Sequence, residues 1–466
     1  MTEPNWVQHA IWWQVYPIGF VGAEQTAAEL ASKEQGRPVV HRLGQLVPWL
    51  DYVVELGASG LALGPVFASE THGYDTTDYF RIDPRLGDDA DFDELIAQCH
   101  ARGLKVLLDG VFNHVGRSFG AFQAVLSDGP EAPSASWFRL RWPDSGWTPG
   151  TEPGYEDFEG HHHLVALNHD EPGVAALVTD VMKHWLARGA DGWRLDAAYA
   201  VPPSFWAPVL AEVRRDYPAS YFVGEYIHGD FAGEVERSSL DSVTQYELWK
   251  AVWSSLNDAN FYELASALER HNGFLDTFVP LTFVGNHDVT RLASKLANPD
   301  QLALALTVLM TVGGTPCIYY GDEQAFRGIK EDRAGGDDAV RPAFPAGPAD
   351  LAGTGWPVYH LHQELISLRR RHAWLHRART TVLTLTNEHL VYQVRADGGA
   401  GDASALTGGG GAEGGALTVA LNLSGTPADL PVPAGSGTLV AGRAHRHPER
   451  DAVALPGYGW AVLGGS

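Results

Sequence analysis

The stretch VAALVTDVMKHWLARGADGWRLD, residues 174–196, decides the fold. Its first part, VAALVTDVMKHWLARG, sets apolar side chains three and four apart, as on one face of a helix. Its end, GWRLD (192–196), is a short apolar run closing on a charge, as a buried strand does at a sheet rim. The same alternation spreads outward in both directions. DFDELIAQCHARG (91–103) reads as a helix before the strand LKVLLD (104–109). IWWQVY (11–16), GLALGPV (60–66), YFVGE (221–225), TFVPLTFV (277–284) and TPCIYY (315–320) continue the strand series, with a sixth, weakly marked strand near 242–246. Strand, helix, strand, repeated this often, predicts an α/β fold with a closed (β/α)8 TIM barrel.

One interval is too long. Asp109 and Asp196 are 87 residues apart, whereas one βα repeat takes roughly 30. The surplus is rich in Trp, Pro, Gly and His, and it reads as a small subdomain inserted after strand 3. The barrel pattern ends near Arg371. Beyond it VLTLT, LVYQVR, LTVALNL and WAVLG have the character of an antiparallel β-sandwich. The expected division is therefore 1–114 and 171–374 for the barrel, 115–170 for the insert, and 375–466 for a C-terminal β domain. The Gly-rich run GDASALTGGGGAEGGA (401–416) reads as a flexible hairpin tip and not a phosphate loop, because no helix follows it.

Composition narrows the function. The 466 residues are 45% hydrophobic and 11% aromatic, enough for a large core, and the net charge is −24. Such acidity opposes binding to phosphate backbones and anionic lipid, so nucleic-acid and membrane partners are not expected and neutral substrates are. The first residues, MTEPNWVQHA, carry no secretion signal, and no run of 18 apolar residues occurs; a cytoplasmic location is expected. The two cysteines, Cys99 and Cys317, read as separate buried thiols. No CxxC or HExxH pattern signals zinc, and no GxGxxG or Walker pattern follows a strand.

Four acids stand at predicted strand ends: Asp109, Asp196, Glu225 and, after TFVGNH, Asp288. A single Asp in such a place is more often a helix cap. Four of them at spacings of one and two repeats, accompanied by His114, Arg194 and His287, predict a site on the C-terminal rim of the barrel. Converging carboxyls in a cleft for neutral substrates suit glycosidic bond cleavage, which needs one protonated and one ionised carboxyl. Arg194, two residues before Asp196, shares its face of the strand and is expected to keep Asp196 ionised. Glu225, preceded by apolar YFVG, is expected to hold its proton.

DGVFNH (109–114), GWRLDAA (192–198), FVGEY (222–226) and FVGNHD (283–288) resemble the four signature regions of the α-amylase superfamily, glycoside hydrolase family 13. GPVFASETHGYDTTDYF (64–80) is similar to the segment after that family's second strand, and YEDFEGHHHLVALN (155–168) to the one closing its inserted subdomain. The resemblance implies that Asp196 is the nucleophile, Glu225 the general acid/base, and Asp288 the stabiliser of the transition state. It implies that His114 and His287 bond hydroxyls of the cleaved glucose, with Tyr74 stacking on it and Arg194 beside the nucleophile. Asp337 and Arg341 of DDAVRP match, more loosely, a pair that grips the next glucose. No cofactor is implied. The closing segment LVALN lacks the carboxylate that helps bind a structural calcium in secreted α-amylases, so no metal is expected and Asn113 is read as a hydrogen-bonding support. DAAYAVPP (196–203) lacks the acidic residue that cyclomaltodextrinase relatives carry shortly after the nucleophile, and Tyr226 stands where tryptophan is common.

The chain looks closest to the cyclomaltodextrinase, neopullulanase and maltogenic amylase group. The expected activity is retaining cleavage of α-1,4-glucosidic bonds in small cyclic or branched maltooligosaccharides, such as cyclic maltosyl-maltose or cyclodextrins. The alternatives are a transglycosylase or isomerase of the trehalose-synthase kind and, more remotely, a non-catalytic carbohydrate-binding barrel. The partner is a small neutral α-glucan, and the protein is expected to be a monomer or homodimer. Because the chain opens almost directly on the first strand, dimerisation through the group's N-terminal β domain is not expected. Trp137, Trp142 and Trp147 in the insert read as core aromatics, with sugar stacking as the alternative.

Overall fold

The computed structural model describes residues 3–25, 38–333, 335–396, 415–447 and 449–464. Eight parallel strands form the central sheet: β1 (Trp12–Val15), β2 (Gly60–Leu63), β3 (Lys105–Gly110), β4 (Gly192–Leu195), β5 (Tyr221–Gly224), β6 (Ser242–Val243), β7 (Leu281–Phe283) and β8 (Thr315–Tyr319). Their order is β6-β5-β4-β3-β2-β1-β8-β7, and a parallel bridge between Thr244 and Leu281 closes the ends into a barrel. The weak sixth strand is real but only two residues long, which is why its sequence signal is faint.

Alternation along each strand sorts its side chains. Trp12, Leu107, Tyr221, Val223, Leu281 and Cys317 fill the barrel interior. Their neighbours Trp13, Val106, Leu108, Trp193, Leu195 and Phe222 join the larger core under the helices. With period two, Asp109 follows Leu107 inward, and Glu225 follows Tyr221 and Val223. Arg194 and Asp196 lie inward because Trp193 and Leu195 lie outward. The rim chemistry is thus the continuation of the interior packing rows. Gly192 starts the β4 row where space is shortest: a Cβ there would lie 2.1 Å from the Tyr221 carbonyl oxygen and 2.9 Å from Leu107.

The helices form as their patterns predict. Asp89–Ala101 begins in a capping box, Asp88 accepting from Asp91 N and Asp91 from Asp88 N. Pro172–Ala187 starts on a proline and buries Val174, Val178, Val181, Met182 and Trp185. Trp185 also donates its Nε1 to the Tyr79 carbonyl at 2.8 Å.

After β3 the chain builds the inserted unit: a sheet of His114–Gly116, His161–Ala166 and Asp157–Phe158, a pair Leu140–Arg141 with Gly154–Tyr155, and a helix Gly120–Asp128. Trp137 and Trp142 pack half-buried against the main core, in accord with the core reading. Beyond the last barrel helix, Trp356–Arg371, two antiparallel sheets face each other. Arg379–Leu385, His389–Arg395, Ala416–Asn422, Trp460–Gly464 and Thr438–Gly442 form one; Ala428–Pro431, Ala452–Leu455 and His445–His447 form the other. Val391, Ala420, Ala461 and Leu463 pack between them with Leu430, Val453 and Leu455. The opposite parity, Leu390, Tyr392, Val419 and Val462, packs against the barrel. The proposed hairpin tip at 401–416 lies, up to residue 414, outside the described residues. Cys99 and Cys317 are both free and buried.

Candidate active site

Arg194 is the hub. Its Nη1 donates to Asp109 Oδ1 (2.7 Å) and Asp196 Oδ1 (2.8 Å), and its Nη2 lies 2.8 Å from Glu225 Oε1. The three acids come from β3 and the ends of β4 and β5, adjacent strands paired in register, Asp109 with Arg194 and Leu195 with Gly224. Directly after Asp196 the chain turns through Ala197, whose φ of 43° is left-handed. That turn points the Ala197 amide at Glu225 Oε2 (3.0 Å). Tyr246, the first residue of the helix after β6, donates its hydroxyl to Glu225 Oε1 (3.4 Å) and accepts from Asn286 Nδ2 (2.8 Å).

A second centre faces the first. Asp288, after β7, accepts from Arg341 Nη2 (2.8 Å) through Oδ1, and His287 Nε2 lies 3.0 Å from its Oδ2. Its own amide donates to Asn286 Oδ1 (2.9 Å). His287 joins the two centres, because its Nε2 also meets the Tyr74 hydroxyl, which in turn donates to Asp109 Oδ2 (3.2 Å). Gln14 Nε2 donates to His287 Nδ1 (3.2 Å), which leaves the ring proton on Nε2. The Tyr74 ring lies parallel to the His287 ring, centroids 5.6 Å apart at 2°, and Tyr16 lies parallel to it at 6.1 Å.

His114 donates Nε2 to the Tyr74 carbonyl (3.0 Å) and accepts from Asn113 Nδ2 (3.1 Å), the supporting role expected of Asn113. Burial holds both histidines neutral, pushing His114 down to about 4 and His287 down to about 3. Each neutral ring keeps one N–H, which His114 gives to the Tyr74 carbonyl and His287 directs at the Tyr74 hydroxyl.

The carboxyls part company. Burial lifts Asp196 well above its ordinary range, with Arg194 opposing and Glu225 and Asp109 adding to the rise; Asp109 goes up to about 6 for the same leading reason. This corrects the expectation that Arg194 keeps Asp196 ionised: burial outweighs it. One guanidinium shared by three buried carboxyls cannot offset the burial of each, so Asp196 and Asp109 both rise. Burial opposes ionisation of Asp288 too, but His287 and Arg341 outweigh it and hold this carboxyl below its ordinary range.

All ten predicted residues fall in this network or on its edge. Asp337 is the outermost, bonded to Lys330 and Arg341 at 3.2 Å each. Arg341 is buried against Asp288, with its guanidinium 4.7 Å from the Tyr16 ring, so it props the acid instead of reaching free into the cleft. Gln14, Tyr16, Tyr246 and Asn286 were missed. Parity marks Gln14, two residues after the inward Trp12, but nothing local marks Tyr246. Among the described residues, the grouping with metal-ligand spacing is His41, Asp88 and Asp91, at a helix start and largely exposed.

A (β/α)8 barrel with four acids and two neutral histidines gathered on its C-terminal rim is the architecture of a glycoside-cleaving enzyme. Residues 14–354 match the alpha amylase catalytic domain, and the chain belongs to that family, glycoside hydrolases that act on α-glucosidic bonds. It is 29% identical to the cyclomaltodextrinase of Geobacillus thermopakistaniensis over 98% of this chain and 77% of that protein. It is 31% identical to neopullulanase 2 of Thermoactinomyces vulgaris over 81% of this chain and 65% of that protein. Its fold superposes on the cyclic α-maltosyl-(1→6)-maltose hydrolase of Arthrobacter globiformis with a TM-score of 0.78, at 24% identity and full coverage of both chains.

Proposed function

We propose that the protein cleaves α-1,4 bonds in small cyclic or branched maltooligosaccharides with retention of configuration. Asp196 attacks the anomeric carbon while Glu225 gives its proton to the departing glycosidic oxygen, whose bond to that carbon breaks. Water then attacks the glycosyl-Asp196 ester, losing its proton to Glu225, and the sugar leaves in the α form. Asp288 stabilises the positive charge that develops on the sugar ring. His114 and His287 hold its hydroxyls, Tyr74 stacks on it, Arg194 with Asp109 behind it holds the pair in place, and Arg341 with Asp337 supports the neighbouring glucose side. The observation that carries this reading is the shared guanidinium: Asp196 Oδ1 and Glu225 Oε1 each lie 2.8 Å from a terminal nitrogen of Arg194.

The relatives named cyclomaltodextrinase and neopullulanase support a small-glucan substrate, and the net charge of −24 suits a neutral one. We assign residues 1–114 and 171–374 to the catalytic barrel, 115–170 to the insert and 375–466 to the C-terminal domain of a cytoplasmic monomer or homodimer. Relatives named intracellular maltogenic amylase support that location, and no helix among the described residues is long and apolar enough to cross a membrane. Initial rates on cyclic maltosyl-maltose, β-cyclodextrin and starch, with the first product's anomer read by proton NMR, test the proposal. The cyclic sugars are expected to be cut fastest, giving the α-anomer. Starch cut fastest removes the small-substrate claim, and a β-anomer removes retention.

A further inference from the structure

Arg85 is 3% exposed and lies outside the networks around Arg194 and Arg341. A guanidinium has five N–H donors, and all five are placed here. Nε and Nη2 donate to Asp83 Oδ1 (2.8 Å) and Oδ2 (2.6 Å). Nη2 also donates to Ser69 Oγ (2.6 Å), and Nη1 donates to the carbonyls of Glu24 (2.6 Å) and Thr71. Asp83 is fully buried and further accepts the Ser69 amide (3.1 Å) and hydroxyl (2.9 Å). One carboxylate neutralises the charge. The other bonds fasten chain beyond the ends of β1 and β2.

The chain so fastened carries Tyr74. After β2 it forms a hairpin, Phe67–Ser69 pairing antiparallel with Thr76–Ile82, and residues 70–75 make its tip. Arg85 follows the second strand and folds back to the base of that tip. Within the tip, Asp75 accepts the Thr71 amide (3.0 Å) and hydroxyl (2.5 Å), and the Tyr74 amide donates to His72 Nδ1 (3.2 Å). Gly73, at a φ of 92°, is pressed against Pro65, whose Cβ a side chain there would approach to 2.8 Å. Glu70, Thr71, His72 and Tyr74 are only half-buried, so polar bonds hold the tip in place of a core of its own. Thr71 joins those bonds to the buried guanidinium. The Glu24 carbonyl adds the segment that follows Tyr16, whose hydroxyl donates to the His72 carbonyl (2.6 Å).

The tip ends on the Tyr74 phenol, which reaches Asp109 Oδ2 (3.2 Å) and His287 Nε2 and so links the two acid centres. We propose that Arg85 is the positioning residue of Tyr74, fixing the base of the tip so that the phenol meets Asp109 and His287 together. Its planar fork holds a carboxylate and three further oxygens at once, which a lysine ammonium cannot do. The inference rests on the reading of Tyr74 as part of the sugar site. Arg85 itself touches no substrate; it acts through the hairpin.

The test places 3-fluorotyrosine at position 74 of the full chain and reads its 19F NMR resonance without substrate, beside kcat on α-maltosyl fluoride. Arg85→Lys keeps a charge next to Asp83 but offers three donors on one atom, too few for Asp83, Ser69 and both carbonyls. The resonance is expected to shift or broaden, and kcat to fall about tenfold, as a small displacement near the reacting atoms produces. In a Tyr74→Ala background the same substitution is expected to leave kcat within about twofold, because its effect passes through Tyr74. Ser69→Ala takes one acceptor from the guanidinium and removes no charge; it is expected to move the resonance less, and it decides the matter where Arg85→Lys does not fold. An unmoved resonance in the variants that fold overturns the proposal. So does an equal loss of kcat with and without Tyr74, which would make Arg85 a general support of the fold. A moved resonance, with Tyr74→Ala turning over at the parent rate, overturns instead the reading of Tyr74 as part of the sugar site.

Discussion

Arg194 and Arg341 anchor the two acid centres that Tyr74 and His287 link, and do opposite things to the acids they hold. Arg194 serves three carboxyls, Asp109, Asp196 and Glu225, and the side chain of Asp196 is only 10% exposed. Arg341 gives one 2.8 Å bond to Asp288, which is 30% exposed and also has His287 beside it, and reaches Asp337 at the edge. Asp196 is pushed up and Asp288 down. The buried pair Arg291 and Asp322 separates the two causes: Asp322 has its own guanidinium at 2.8 Å, is 7% exposed, and is still raised to about 6. A single positive charge is therefore not enough without some access to water. The Arg194 side keeps its buried aspartates raised, and the Arg341 side keeps a negative charge where a sugar cation must be stabilised.

The comparison breaks most visibly at the Arg194 end. Asp196→Asn is expected to lower kcat by about 10⁴-fold or more, since no covalent intermediate can form. Glu225→Gln is expected to cost about 10²- to 10⁴-fold on maltooligosaccharides. It should lose far less on α-maltosyl fluoride, whose leaving group needs little protonation. Steady-state rates on both donors check this, and equal losses on the two would remove Glu225 from the acid role.

At the other end, Arg341→Met leaves Asp288 without its guanidinium. The carboxyl then rises towards the range of a partly buried acid, and the acid limb of the pH profile of kcat/KM moves to higher pH. The sign follows from the native shift: a depressed carboxyl stays charged as pH falls, and removing the cause makes it take up its proton sooner. The loss at neutral pH is expected to be about 10- to 100-fold, the size of one misplaced charged bond of about 1.5–3 kcal/mol. An unmoved acid limb would mean that the higher-titrating Asp196 sets it, or that His287, Arg194 and Lys330 still hold Asp288 down.

Much of this was legible before the structure. The strands are short apolar runs ending in Asp or Glu, and interior parity carries Leu107 into Asp109 and Val223 into Glu225. Two kinds of information were not local. Tyr246 belongs to a helix start, and its importance comes from the barrel closing between Thr244 and Leu281, which brings it under Glu225. The protonation of Asp196 depends on how many carboxyls share Arg194 in space; a spacing of two residues shows only that Arg194 and Asp196 face the same way.

A buried carboxyl with no guanidinium completes the series and gives the smallest, most easily isolated effect. Glu323 is fully buried and bonded by Trp13 Nε1 (3.2 Å), Tyr52 Oη (3.0 Å) and its neighbour Gly321's amide (2.9 Å). Burial pushes it up to about 7, the bonds from the backbone, Trp13 and Tyr52 opposing. In the unfolded chain it titrates near ~4.3. Between these values the unfolded chain has lost the proton and the native protein keeps it, so this group's contribution falls as pH rises from ~4.3 to 7 and levels off above. The full fall is about 4 kcal/mol at 1.36 kcal/mol per pH unit. Glu323→Gln cannot ionise and is expected to flatten the change in urea midpoint between pH 5 and pH 7, with little effect on rates because Glu323 lies outside the network around Arg194 and Arg341. An unaltered slope would assign the pH dependence of stability to the Arg194 cluster, where Asp109 at about 6 titrates in the same window.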